Sequence, residues 1–265
     1  MNPMLNIAIN AARQAGRLIM RSQNQLDTLR IVQKGINDYA SQVDLAAEAL
    51  IIETIKKAYP HHGILAEESG ITEAQNTSDP VWIIDPLDGT TNFIHGFPQF
   101  CISIAIKYQD KVQHGVVYDP VRDELFTASR GEGARMNNNR LRVSSVEKLQ
   151  LALLGTGFPY KDFSYLDEYL RFLKAIIPHC SGIRRAGAAA LDLAYVAAGR
   201  LEAFWEFGLK PWDVAAGALL IQEAGGWVTT VHGDSDILYA NSILCAPPKL
   251  YPQIQTLCKE CFKVS

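Results

Sequence analysis

Residues 82 to 93 read Trp-Ile-Ile-Asp-Pro-Leu-Asp-Gly-Thr-Thr-Asn-Phe, and no other segment restricts the fold as much. The apolar run Val81 to Ile84 reads as a buried strand. Asp85, Pro86, Leu87, Asp88 and Gly89 follow it at once. Pro86 and Gly89 are expected to break the strand and turn the chain. Two carboxylates then stand at the tip of a buried strand, where unpaired charge is costly. Carboxylates this close repel unless protonated or bridged by a cation. Hard oxygen ligands on a tight turn suit Mg²⁺, which takes a few carboxylates and leaves positions for water and phosphate. Taken alone, the segment also fits a turn with two solvated aspartates.

The bulk properties narrow the setting. A chain of 265 residues, 48% hydrophobic and 20% charged, has globular composition and forms one large domain or two small ones. A net charge of −3 gives no general pull toward nucleic acid or an anionic membrane. The small basic clusters, Arg184-Arg185 and Arg140 with Arg142, read as solvated or locally paired. The five cysteines are odd in number and scattered, which argues for a reducing, cytoplasmic setting rather than a disulfide framework. Cys258-x-x-Cys261 has no second pair and falls in an expected terminal helix. No apolar run approaches membrane-spanning length, and no targeting signal is evident at the N-terminus.

Periodicity supplies the elements. Leu5, Ile9, Ala12, Gly16 and Ile19 mark one face of a first helix over Pro3 to Asn24, with Arg13, Arg17 and Arg21 on another. Ile31 to Lys34 reads as a short strand, and Ser41 to Tyr59 as a helix stopped by Pro60. Ile64 to Ala66 is a second buried strand, separated from Val81 by a polar loop. Phe100 to Tyr108, Val112 to Tyr118 and Leu125 to Ala128 read as successive antiparallel strands, with a further hairpin at Gly131 to Asn139. After about residue 145 strands and helices alternate. Strands are expected at 151–155, 183–185, 201–207 and 243–246, and helices at 165–177, 188–198, 213–224 and 249–262. An α+β half (1–145) and an α/β half (146–265) are therefore expected to pack as one unit of layered sheets and helices.

Four further places supply chemistry. Glu67-Glu68 ends the strand Ile64 to Ala66. Asp213, in Pro211-Trp212-Asp213-Val214-Ala215-Ala216-Gly217, either caps a helix or offers a carboxylate to a metal. Asp44 heads an inward stripe with Ala47, Ile51 and Ile55, and a buried Asp needs a partner; Thr90 is a candidate whose hydroxyl, held by Asp44, would orient a water. Gly89-Thr90-Thr91 opens a helix whose N–H groups suit phosphate. No Ser/His or Cys/His arrangement competes. The six histidines show no ligand spacing, and His61-His62 reads as solvated.

With these residues in place, the chain resembles the inositol monophosphatase family. The resemblance rests on Glu67-Glu68-Ser69, on Trp82 to Phe93 as a Trp-x-x-Asp-Pro-[Leu/Ile]-Asp-Gly-Thr-x-Asn-Phe signature, and on Pro211 to Gly217 as a Trp-Asp-x-Ala-Ala-Gly signature. The order and spacing agree across nearly the whole chain. The resemblance implies an αβαβα sandwich, a homodimer, and Mg²⁺-dependent hydrolysis of a phosphate monoester, typically myo-inositol 1-phosphate. It implies two to three Mg²⁺ ions, with Glu67, Asp85, the Leu87 carbonyl, Asp88 and Asp213 as ligands. Asp44 and Thr90 would orient the attacking water, which metal activates for direct attack without a phosphoenzyme. The Gly89 and Thr90 amides would bind phosphate. Asp88, Ala189, Glu206 and Asp213 would face the inositol hydroxyls. Glu68 and Lys34 would be supporting residues. Inhibition by Li⁺ is expected.

Two positions depart from the family pattern. Asp38-Tyr39-Ala40-Ser41 stands where Asp-x-Val-Thr is common, and Ala188 replaces a frequent Thr or Ser beside the substrate. Thr91-Asn92-Phe93 favours the inositol branch over relatives that read Thr-Lys-Glu-Phe. Fructose 1,6-bisphosphatase or broader sugar or nucleotide phosphatase activity is the alternative within the superfamily. A different class of function is protein binding, with Arg184-Arg185 and the adjoining helix as the surface.

Overall fold

Strand alternation explains the layering. In β5 (Val81–Asp88), Ile83 enters one core while Trp82 and Ile84 enter another. Successive side chains leave a strand on opposite faces, so a strand apolar at every position must be covered on both sides. The same rule governs the second sheet. Phe204 of β13 (Ala203–Phe207) joins the first core, and Ala203 and Trp205 join a third.

The computed structural model describes residues 2–23, 31–35, 38–160 and 162–262, with the side chains of 31–41 outside that description. Its larger sheet has eight strands in the order β10-β9-β8-β7-β6-β5-β3-β4. Besides β5 these are β3 (Gly63–Ala66), β4 (Gly70–Thr72), β6 (Cys101–Tyr108), β7 (Lys111–Asp119), β8 (Glu124–Ser129), β9 (Gly133–Met136) and β10 (Asn139–Arg140). The pair β3–β5 is parallel and its neighbours are antiparallel. The smaller sheet runs β12-β11-β13-β15-β14, with β11 (Leu153–Thr156), β12 (Gly182–Arg184), β14 (Trp227–Thr229) and β15 (Ser242–Ala246). A separate antiparallel pair joins β1 (Ile31–Gly35) to β2 (Asp38–Ser41).

Helices complete five layers, so the chain has the expected αβαβα architecture. Helices α1 (Pro3–Ser22) and α2 (Gln42–Ala58) cover one face of the large sheet through Ala12, Ile19, Ile51 and Ile55. Helices α5 (Ala189–Ala197) and α6 (Pro211–Glu223) lie between the sheets. Helices α4 (Leu166–Ile176) and α7 (Tyr251–Cys261) close the far face with Phe172, Ile176 and Ile254. The middle layer is buried on both sides, which is why α6 is apolar nearly all round from Val214 to Ile221. Cys258 and Cys261 sit in α7 as expected, and all five cysteines are free thiols.

Some expectations are corrected. Strand β5 does not end at Ile84 but stays paired to β6 as far as Asp88. Its register shifts between Asp85 and Asp88, so Pro86 sits in a bulge, where its missing N–H costs no ladder bond. Strands β4 and β14 carry no sequence signal because each has only three residues, and all three in β4 and two in β14 are exposed or half buried. His62 is half buried rather than fully solvated. It stacks on Tyr59 and accepts the Trp82 indole N–H at 3.0 Å, and its burial holds the imidazole pKa below the usual value. Among the described residues no helix is long and apolar enough to cross a membrane.

Helix α6 lies on β7 at Gly115, where an added Cβ would come within 3.0 Å of the Ala216 backbone. Gly115→Val is therefore expected to destabilise the protein by about 1–3 kcal/mol through overpacking, read as a lowered urea midpoint at unchanged m-value.

Candidate active site

The β5 bulge gathers the acidic groups. Asp85 is buried and its Oδ1 accepts the Leu87 N–H at 3.0 Å, closing the bulge on itself. Asp88, at the strand end, accepts the Ala190 N–H at 2.7 Å through Oδ2, and the Cys101 thiol lies at 3.7 Å from the same oxygen. Asp213 enters from α6. It sits at the third helical position rather than at the cap, and its Oδ2 accepts the Lys210 N–H at 2.6 Å. The local helix-start role and the clustering thus coexist, because each of Asp85, Asp88 and Asp213 places a carboxylate oxygen within 4.8 Å of the others.

Electrostatics show what this grouping costs. Burial pushes the Asp85 carboxyl well above the usual carboxylate range, and the charges of Glu67, Asp88 and Asp213 push it further. Burial lifts Asp88 to about 6 against the opposing Ala190 amide. Such a group is relieved by protons or by a cation. Carboxylates and a nearby backbone carbonyl are the hard oxygen donors that a divalent ion such as Mg²⁺ takes.

A second set of bonds surrounds the cluster. Thr90, the first residue of α3 (Thr90–Ile94), donates its hydroxyl to Asp44 Oδ1 at 2.7 Å, with the Leu87 carbonyl at 3.0 Å. Asp44 is fully buried in the first turn of α2. Gly89 adopts φ +92°, and a Cβ there would meet the Gln99 carbonyl at 2.8 Å, so the approach to α3 is open only to glycine. Glu67 follows β3, donates its N–H to the Ile84 carbonyl at 3.2 Å and lies half buried beside Asp85. Glu68, also half buried, donates its N–H to Glu48 at 2.9 Å.

The second half of the chain supplies the opposite wall. Ala189 opens α5 behind Ala188, and both are buried. Glu206 on β13 is half buried, and burial followed by the charges of Asp213 and Asp192 holds its carboxyl well above the usual range. Lys34 lies on β1, with its side chain outside the described residues. Arg184 and Arg185 are exposed, and the Arg185 guanidinium stands 4.8 Å from the Tyr160 ring centroid.

Three residues were not anticipated. Glu48 is buried on α2 one turn beyond Asp44; an acid continuing the inward stripe Asp44, Ala47, Ile51 was its available signal. Asp192 is buried in the Ala-rich α5, and burial followed by the Asp88 charge raises its carboxyl pKa; a lone charge in an otherwise apolar helix marked it. Asn92 places Nδ2 within reach of the carbonyls of Gln99 (2.7 Å), Ala186 (2.9 Å) and Gly187 (3.3 Å), tying α3 to the loop before α5. Nothing local in the sequence pointed to those long-range acceptors.

Known proteins share this fold. The sequence model of the inositol monophosphatase family matches residues 1–261. The Pseudomonas aeruginosa protein named Nus factor SuhB is 54% identical over 259 residues, covering 97% of this chain and 96% of its own. The crystal structure of extragenic suppressor protein suhB from Bartonella henselae superposes with a TM-score of 0.95 at 42% identity, over 98% of this chain and 99% of that one. An inositol monophosphatase from Anabaena superposes with a TM-score of 0.82 at 36% identity, over 97% and 96% of the two chains. By its sequence and its five-layered fold, this chain belongs to the inositol monophosphatase family.

Proposed function

We propose that the protein is a Mg²⁺-dependent phosphate monoesterase that converts myo-inositol 1-phosphate to myo-inositol and phosphate. The observation that carries this reading is the convergence of Asp85, Asp88 and Asp213 within 4.8 Å beside the Thr90–Asp44 hydrogen bond. Glu67, Asp85, the Leu87 carbonyl, Asp88 and Asp213 would hold two to three Mg²⁺ ions. When bound, the ions supply charge neutralisation for the phosphoryl group and a lowered water pKa. The chain's own groups do the rest. Thr90 donates its proton to Asp44, which leaves the lone pairs of its oxygen to accept from a water and turn that water toward phosphorus. Asp44, sealed from solvent, is the terminal acceptor for the proton released. The N–H groups of Gly89 and Thr90, in the first turn of α3, lack intrahelical acceptors and would bind the phosphate oxygens. Ala189, Glu206, Asp88 and Asp213 would face the inositol ring, with Lys34 and Glu68 in support. Both halves of the chain would act as one unit, since the ligands and the ring-facing groups come from each. Li⁺ inhibition, a homodimer and a cytoplasmic location belong to the same proposal. Fructose 1,6-bisphosphate and nucleotide phosphates are the competing substrates.

A protein-binding role is the second reading. It is favoured by the Nus factor name of the Pseudomonas relative and by exposed apolar side chains, Tyr160, Phe163, Leu170 and Ile177, on the side of the molecule that carries α4. Full rescue of a deletion phenotype by a catalytically dead Asp88→Asn chain would favour this reading, and loss of rescue the enzymatic one.

Phosphate release from myo-inositol 1-phosphate is expected with Mg²⁺ and not with EDTA. Asp88→Asn should lower it by at least about 10²-fold, more than the loss of a supporting partner at a metal site. Thr90→Ala should lower kcat roughly 10²–10⁴-fold with a smaller change in KM. No turnover of this ester, of fructose 1,6-bisphosphate or of 3′-phosphoadenosine 5′-phosphate would refute the enzymatic reading.

The carboxylate cluster also sets a pH dependence. Asp88 titrates at about 6 in the folded chain and near 3.9 when unfolded, so the folded state binds more protons between these values. The metal-free protein should therefore lose stability as pH rises from about 4 to about 6, where the Asp88 share of the loss is complete, and the more strongly raised Asp85 extends the loss to higher pH. Mg²⁺ replaces those protons. It should raise Tm clearly at about pH 7.5 and much less at about pH 5, as measured by differential scanning fluorimetry.

A further inference from the structure

We propose that Glu48 is a positioning residue that sets the divalent-cation affinity of the site by fixing the turn that carries Glu67; this rests on reading the acidic cluster as a metal site. Glu48 is 3% exposed and lies on α2. Its two carboxylate oxygens receive two consecutive backbone amides. Oε2 accepts from Glu68 N–H at 2.9 Å and Oε1 from Ser69 N–H at 2.8 Å. Glu67 is thereby pinned on both sides. Its own N–H is tied to the Ile84 carbonyl of β5, and the next amide is tied to Glu48. Its carboxylate lies beside Asp85, whose pKa registers its charge.

The choice of glutamate follows from the donors. Two adjacent N–H groups form a small positive concavity that suits an anion, and hydrogen bonds to a carboxylate are roughly twice as strong as neutral ones. A glutamine would present one acceptor and one NH₂ group, and the latter would oppose an N–H. An aspartate would keep the charge but retract it by one methylene. The same helix carries Asp44 four residues earlier, so α2 holds the Thr90 side and the Glu67 side of the site at a fixed separation along its axis.

A purely structural Glu48 would lower stability when replaced and leave cation affinity alone. The experiment is a Mn²⁺ titration of the full-length protein followed by electron paramagnetic resonance, with Tm in EDTA measured alongside. Glu48→Gln and Glu48→Asp are each expected to weaken Mn²⁺ binding roughly 10–100-fold, the loss typical of a removed supporting partner. Weakening in Glu48→Asp separates geometry from loss of charge. Unchanged Mn²⁺ affinity in the variants that fold would overturn the proposal, as would failure of both to fold, which would make Glu48 a stability residue. Mn²⁺ binding by the wild type without hydrolysis of any phosphate ester would sink the functional reading and leave the Glu48 comparison intact. No Mn²⁺ binding by the wild type would overturn both.

Discussion

The hydrogen bond from the Ala190 amide to Asp88 spans 102 residues of sequence, and the architecture of the site depends on it. Asp88 ends β5 in the first half, and Ala190 lies in the opening turn of α5 in the second. A carboxylate at a helix start satisfies an amide that has no intrahelical acceptor and interacts favourably with the helix dipole. The bond holds the acidic end of β5 against the wall formed by α5 and β13. Asn92 reinforces the junction through the carbonyls of Ala186 and Gly187, and Ser103 does so from β6 through the Trp212 carbonyl at 3.0 Å. The last contact sits one residue before Asp213, so the placement of α6 and the closing of the carboxylate cluster are coupled.

This junction brings together groups that repel. Buried carboxylates with raised pKa values are a standing cost in the metal-free chain, and packing elsewhere must offset it. The offset comes from three cores that use both faces of both sheets. Fully buried Trp82, Phe93, Phe100, Phe126, Phe204 and Trp205 supply much of the apolar area, at about 25 cal/mol per Å² removed from water. The cost is concentrated where β5, α5 and β13 meet, and well-packed cores surround that junction. That is the physical setting in which groups are held ready for a cation rather than assembled around it.

Helix α2 acts as a second organiser. Its apolar stripe through Ala47, Ile51 and Ile55 docks on the large sheet, and the acids on the same face, Asp44 and Glu48, are delivered to Thr90 and to the turn after β3. Both acids are buried and both are hydrogen-bonded, as buried charge requires. One docking event thus positions the hydrogen-bond partner of Thr90 and the turn that carries Glu67 together.

Much of this was legible in the chain itself. The apolar runs and helical stripes gave the order of elements. The acids at strand and helix ends, with their signature spacing, gave the family and the candidate residues Glu67, Asp85, Asp88, Thr90 and Asp213, because hydrophobic period and turn chemistry are local properties. The persistence of β5 through Pro86 was not legible, since a bulge exists only relative to a partner strand. Nor were the contacts of Glu48, whose amide donors lie 20 and 21 residues away. The short strands β4 and β14 form because a longer neighbour offers free backbone groups, not because three residues favour extension. Residue types and their spacing therefore determine which chemistry this chain carries. The distances within it, at most 4.8 Å among the Asp85, Asp88 and Asp213 carboxylates and 2.7 Å between Thr90 and Asp44, are set by long-range packing and hydrogen bonds between segments that no local pattern relates.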